Sequence, residues 1–213
     1  MQLQQNRSSR RAFASGAIAA AMAAGASSTR AADALRPTPT QTIGPFYPIQ
    51  RLSEHDADLT RIAGHANRAK GTVIEVTGRV LDRFGHPIRG ARLEVWQCNA
   101  SGRYAHPNEV STTPLDPDFQ GFAAVATGRQ GEWRITTIKP AGYDSPIGWR
   151  TPHIHFDVSG RSQRLITQMY FADEEATNQR DGLYKELMGS AVRTVARADG
   201  VGRYNWDIVL MDG

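Results

Sequence analysis

A single cysteine, Cys98, stands in 213 residues, so neither an internal disulfide framework nor a cysteine-built zinc module can form within the chain. No run reaches the ~18–20 consecutive apolar residues of a membrane-spanning helix. Phosphate-cradling and dinucleotide-binding fingerprints are missing, and so is the G-x-S-x-G turn of a serine hydrolase. Aromatic residues amount to 8% and charged residues to 22%, against 40% hydrophobic, a balance that excludes a largely disordered chain. With no internal repeat or low-complexity tract, one folded domain is expected at this length.

The formal net charge of +4 suggests an anionic partner, but its distribution removes the suggestion. Ser9-Arg10-Arg11-Ala12-Phe13 is followed by a weakly apolar Ala/Gly stretch and by Ala32-Asp33-Ala34. Paired arginines, a short apolar segment and an A-x-A site read as a twin-arginine export signal over residues 1–34, and hence as a periplasmic or secreted destination. Cleavage after Ala34 takes away Arg7, Arg10, Arg11, Arg30 and Asp33 and leaves 179 residues carrying +1. Nucleic acid is therefore not the expected partner. That route carries folded proteins, which suits a chain that takes up a metal before export. The lack of disulfides fits folding in a reducing compartment.

Beyond residue 34 the punctuation is that of strands. Pro37, Pro39, Pro45 and Pro48 bar residues 35–50 from a helix interior or a central strand, leaving an extended arm. Residues 52–69 are polar, with Leu52, Leu59 and Ile62 at helical spacing, and read as a loop with a helical turn; arm and loop together cover residues 35–70. Short β-branched and aromatic runs then follow at 72–81, 91–98, 133–138, 152–158, 164–171 and 204–211, separated by turn chemistry such as Asp82–Pro87. The expected fold is all-β, a β-sandwich over residues 71–213 with an extended N-terminal arm and little helix, the one helical pattern falling on 182–197.

The chemistry concentrates in Arg150-Thr151-Pro152-His153-Ile154-His155-Phe156-Asp157-Val158. Strand side chains alternate between faces, so His153, His155 and Asp157 share one side and Ile154, Phe156 and Val158 the other. Two imidazoles two residues apart on a rigid strand can converge on one metal ion. Ser159 and Gly160 stand where a cupin-type site needs a glutamate. Of the remaining histidines, His55, His65, His86 and His106, only His106 falls in a segment near the others. Cys98 lies in a core strand and reads as a small buried hydrophobe. Asp157 suits either a partner for a histidine or an exposed strand position. Tyr104 and Tyr143 each occupy a defined turn.

These segments together resemble the intradiol ring-cleavage dioxygenases, most strongly the protocatechuate 3,4-dioxygenase branch. The resemblance is carried by Gly78–Pro87, Glu94-Val95-Trp96-Gln97, Gly102-Arg103-Tyr104-Ala105-His106, Tyr143 and Arg150–Phe156, with support from Gln41–Pro48, Leu165–Phe171 and Asp207–Leu210. It implies a non-haem Fe(III) held by Tyr104, Tyr143, His153 and His155, the hard anionic oxygens favouring the ferric ion. It also implies a catechol-type substrate cleaved by O2 between its two hydroxyl-bearing carbons, with both oxygen atoms entering a muconate-type diacid. Tyr143 then doubles as a general base, and Arg150 stabilises charge on the ring, with a structural ion pair as its alternative role. Gln168 is expected to orient a tyrosine or the substrate, or else to be a satisfied core amide. Gly44, Pro45, Tyr47 and Trp149 are expected to wall the substrate pocket.

One departure stands out. The segment from Tyr143 to Arg150 is about three residues shorter than in many relatives, so substrate identity does not transfer. This chain also carries both the Q-T-x-G-P arm and the metal set, which protocatechuate enzymes divide between two chains, and a homo-oligomer is expected. Two rival readings share the Asp82–Ala91 hairpin and the sandwich: a secreted transthyretin-like binding module, and a zinc or copper hydrolase or oxidase.

Overall fold

The computed structural model describes residues 1, 34–49 and 54–212, and the fold occupies the unit Ala32–Gly213. The proposed export signal and Leu52 fall outside the described residues, apart from Met1 and Ala34. No described helix is long and apolar enough to cross a membrane.

Among the described residues eleven strands carry the architecture: β1 Val73–Leu81, β2 Arg92–Trp96, β3 Phe122–Ala126, β4 Glu132–Ile138, β5 Tyr143–Ser145, β6 Gly148–Arg150, β7 His153–Ser159, β8 Arg164–Phe171, β9 Val195–Ala198, β10 Arg203–Asn205 and β11 Ile208–Val209. Among the described residues helix is confined to α1 Glu175–Asn178, α2 Gly182–Glu186 and short 3₁₀ turns at 172–174 and 188–193. The hydrogen-bonded path runs β11-β1-β10-β9-β8-β7-β2-β3, with β4 on β1, while β5 and β6 form a separate hairpin. Strands β1 and β4 pack against β2, β7 and β8 across one apolar core. Its members include Ile74, Val76 and Ile135 from the first group and Leu93, Val95, Ile154, Phe156 and Leu165 from the second. The fold is therefore the expected all-β sandwich.

The arm has no regular secondary structure and is tied down along its length. The Gln41 N–H donates to the Ile166 carbonyl at 2.8 Å, and Thr38 exchanges two bonds with Val209. Its N–H donates to Val209 O at 2.9 Å, and the Val209 N–H donates to Thr38 Oγ1 at 3.0 Å.

Several boundaries differ from the sequence expectation. The run 204–211 is two short strands, because β10 and β11 both lie parallel to β1 with a crossing between them. There the Trp206 carbonyl passes so close to Gly78 that a Cβ would stand 1.8 Å from it, and Asp207 Oδ1 accepts the Arg79 N–H at 2.9 Å in place of a strand carbonyl. Glycine at 78 is required by that approach. Of the helical pattern over 182–197 only α2 is α-helix; it gives way to a 3₁₀ turn and then to β9. Residues 54–69 hold turns and one bridge, Asp58 to Thr136, without the expected helical turn. Pro152 precedes β7 rather than opening it, since it has no N–H for the ladder.

Candidate metal centre

β7 pairs with β2 along one edge and β8 along the other, and residues 153–158 are buried on both of its faces. Ile154, Phe156 and Val158 enter the main core. The opposite face carries a cross-strand row, Phe122, Trp96, His155 and Gln168, each opposite the next in register. Trp96 lies flat on His155, with ring centroids 4.8 Å apart and planes at 12°, fixing that imidazole from one side.

Four donor side chains meet beyond this row. The His153 and His155 rings are 4.9 Å apart, Tyr104 lies 5.7 Å from Tyr143 and 6.2 Å from His155, and Tyr143 lies 5.8 Å from His153. Tyr104 Oη faces His153 Nε2 at 3.5 Å. Tyr104 is delivered by the turn after β2, backed by Phe46 stacked at 4.6 Å, and Tyr143 opens β5. The Thr151 carbonyl accepts the Nδ1–H of His153 at 2.5 Å, which leaves Nε2 of the neutral ring as the lone pair. His155 Nδ1 is buried without a hydrogen-bond partner.

The electrostatics describe neutral donors in a largely buried site. Burial, followed by the Arg150 charge, drives His155 down to about 3, and burial, Arg150 and His155 hold His153 well below its ordinary value. Burial first, and the neighbouring Tyr143 phenol second, raise Tyr104 well above 10. Tyr143 is pushed up to about 12 by burial, against the opposing pull of Arg150. A bound cation reverses this order, because it stabilises phenolate and attracts imidazole lone pairs. Among the described residues no group of three or more His, Cys, Asp or Glu converges. Any metal here therefore depends on phenol oxygens. Two phenols and two imidazoles fit a hard ion of high charge.

Arg150 closes the site from the end of β6. It is buried, donating Nη2 to Gln168 Oε1 at 2.5 Å and Nε to Asp181 Oδ2 at 3.0 Å. Gln168 thus holds the arginine, and its Nε2 donates to the Thr42 carbonyl of the arm at 3.1 Å. Gly44, at φ +74°, lies where a Cβ would stand 3.2 Å from His155 Cε1, so the arm approaches that ligand closely. Pro45 beside it is exposed. Tyr47 meets Trp96 edge-on, with ring centroids 5.1 Å apart, and donates its hydroxyl to Glu94. Trp149 stands opposite Asp144 in the β5–β6 hairpin, with the Arg180 guanidinium 5.2 Å from its ring centre. His106 faces Phe46 and, with Tyr104 and Trp96, lines a cavity of about 550 Å³ behind the phenol. Cys98 is buried, its thiol raised to about 12 by burial. Asp157 is neither exposed nor in contact with a histidine; it is buried and holds Arg164 through both carboxylate oxygens. Asp181 and the stacking Trp96 were not singled out from sequence as site residues. The one local signal at Asp181 is that of a helix N-cap.

Comparison with known proteins gives the same frame. The family described as Dioxygenase (Dioxygenase_C) matches residues 42–212. The protocatechuate 3,4-dioxygenase beta chain of Burkholderia cepacia is 45% identical over 132 residues, covering 60% of this chain and 56% of its own length. The alpha chain of the Pseudomonas putida enzyme is 34% identical over 152 residues, covering 67% and 73%. Among solved structures, the dioxygenase domain of a carbohydrate-binding fusion from Streptomyces sp. SirexAA-E aligns with a TM-score of 0.63 at 26% identity, over 84% of this chain and 100% of that one. The intradiol ring-cleavage dioxygenase of Tetranychus urticae shares the fold, with a TM-score of 0.63 at 18% identity over 82% and 94%. Fold and sequence therefore define a dioxygenase domain. More particularly, the chain belongs to the intradiol ring-cleavage dioxygenase family.

Proposed function

We propose that this protein is a non-haem Fe(III) intradiol dioxygenase that cleaves a catechol-type ring between its two hydroxyl-bearing carbons. Both atoms of O2 enter the muconate-type product, so no external reductant is needed. The observation that carries the reading is the meeting of Tyr104, Tyr143, His153 and His155 beside the buried cation of Arg150. A ligand-binding sandwich has no use for that combination, and two phenols are poorly matched to the softer preferences of zinc or copper.

Tyr104, Tyr143, His153 and His155 would hold the iron. When bound, it supplies a Lewis acid for phenolate and substrate oxygens and polarises the ring for reaction with O2. The chain's own residues do the rest. His153 presents Nε2 because Thr151 occupies Nδ1, and Trp96 shields His155 from water. Tyr143 is only half-buried at the start of β5, and with iron bound its phenolate would be the one suited to take a proton from an incoming catechol hydroxyl. Arg150 carries a permanent positive charge in a low-dielectric setting, where it opposes negative charge developing on the ring. Gly44, Pro45 and Trp149 form the near wall for the ring substituents. Assembly into a homo-oligomer and export of the folded protein by the twin-arginine route complete the proposal.

The test is iron-loaded protein supplied with catechol, protocatechuate and hydroxyquinol under ¹⁸O2. The expected result is a visible tyrosinate-to-iron absorption, one O2 consumed per ring and two labelled oxygens in the diacid. Unchanged turnover after iron removal, or a product opened outside the diol, rejects the proposal.

A further inference from the structure

The arginine at the end of β6 does not stand by itself. Asp181 is completely buried, and its carboxylate accepts four hydrogen bonds. Oδ2 receives the Arg150 Nε–H and the Thr151 N–H, both at 3.0 Å, and Oδ1 receives the backbone N–H groups of Leu183 at 2.9 Å and Tyr184 at 3.2 Å. One carboxylate thus joins the start of α2 to the break between β6 and β7. Thr151 is also the residue whose carbonyl fixes His153, and its hydroxyl is held by Asn178 at 2.9 Å and Thr177 at 3.1 Å.

A long guanidinium side chain has much rotamer freedom to lose. Here Asp181 takes Nε and Gln168 takes Nη2, from two different elements, so the plane of the fork is set before any substrate arrives. Neither contact uses Nη1. A bare capping role would need Oδ1 alone; the second oxygen is committed to the arginine and to the strand break.

We propose that Asp181 is the positioning residue for Arg150, setting the orientation of the guanidinium before any substrate arrives. The proposal rests on the dioxygenase reading above. Asp181→Asn keeps the shape and the capping oxygen but turns an amide N–H toward Arg150 Nε. Asp181→Ser, also a good cap, serves as the second variant.

The first measurement needs no iron. In the metal-free protein the Arg150 Nε–H resonance is expected downfield and slow to exchange. In either variant it should move to the range of a free arginine, with exchange at least tenfold faster. In the iron-loaded protein, misplacement of the cation is expected to lower kcat about 10- to 100-fold with little change in KM, while the visible absorption of the bound iron persists. A double-mutant cycle then separates positioning from general destabilisation. In an Arg150→Met background, Asp181→Asn should lower kcat no further. An unshifted Nε–H signal, wild-type kcat in both variants, or an equal loss in the Arg150→Met background overturns the proposal. Should wild-type protein oxidise no catechol, the functional reading fails instead, and the Nε–H measurement still decides whether Asp181 holds the arginine.

Discussion

The two faces of β7 are made by the same seven residues and do opposite work. Ile154, Phe156 and Val158 are fully buried in the main core against β2 and β8 neighbours such as Val95 and Leu165. His153 and His155 are equally dry, yet they face aromatic rings, a guanidinium and each other. Burial alone does not distinguish the sides; what each face buries does. The apolar face gains by leaving water and has no further requirement. The histidine face loses solvation, is held uncharged, and leaves a buried ring nitrogen without a partner, an arrangement that stability alone does not explain.

Breaking one face at a time should separate the two roles. The largest expected effect is His155→Ala: catalytic turnover falls by more than about 100-fold, beyond the ~10–100-fold typical of losing an outer partner of a metal ligand. Iron content and visible absorption fall with it, and the thermal midpoint of the metal-free protein barely changes. Next is Phe156→Ala, which should cost about 3–5 kcal/mol in urea unfolding through the cavity it leaves; the fraction that folds should bind iron normally. Gly44→Ala is milder. Its backbone is left-handed and its methyl would press on His155, so a destabilisation of about 1 kcal/mol should accompany a measurable shift of the visible band. The smallest is Asp157→Asn. It shares the histidine side of the strand but pairs with Arg164, and a slightly lower melting midpoint with unchanged kcat is expected. A large loss of turnover in that variant would show that the whole face, and not its two histidines, serves the chemistry.

The division was legible in sequence because it is local. A period of two places His153 and His155 together and Ile154 and Phe156 opposite, whatever the rest of the chain does. The all-β class followed from the same kind of signal. Where the signal was weak, the structure was decided by neighbours. Phe122-Ala123-Ala124-Val125-Ala126 has little β preference of its own and becomes β3 by pairing with β2. Val195–Ala198 continues a helical spacing and becomes β9 because β8 and β10 offer it edges. The two tyrosines carried no local meaning, and only their order with the R-x-P-H-x-H segment made them candidates. Asp181 was beyond reach for a related reason: 31 residues separate it from Arg150, and an aspartate before a short helix signifies a cap until the fold shows what its other oxygen touches.

The reciprocal bonds between Thr38 and Val209 bear on how the chain is made. The two residues are 171 positions apart, so the clasp joins an early segment of the chain to β11, the last strand among the described residues. The clasp cannot close until both residues have been synthesised, whereas the bond from the Leu35 N–H to the Arg83 carbonyl needs only the Asp82–Pro87 turn. Truncation ahead of Val209 should therefore open the clasp at Thr38 and leave the Leu35 and Gln41 bonds to hold the rest of the arm.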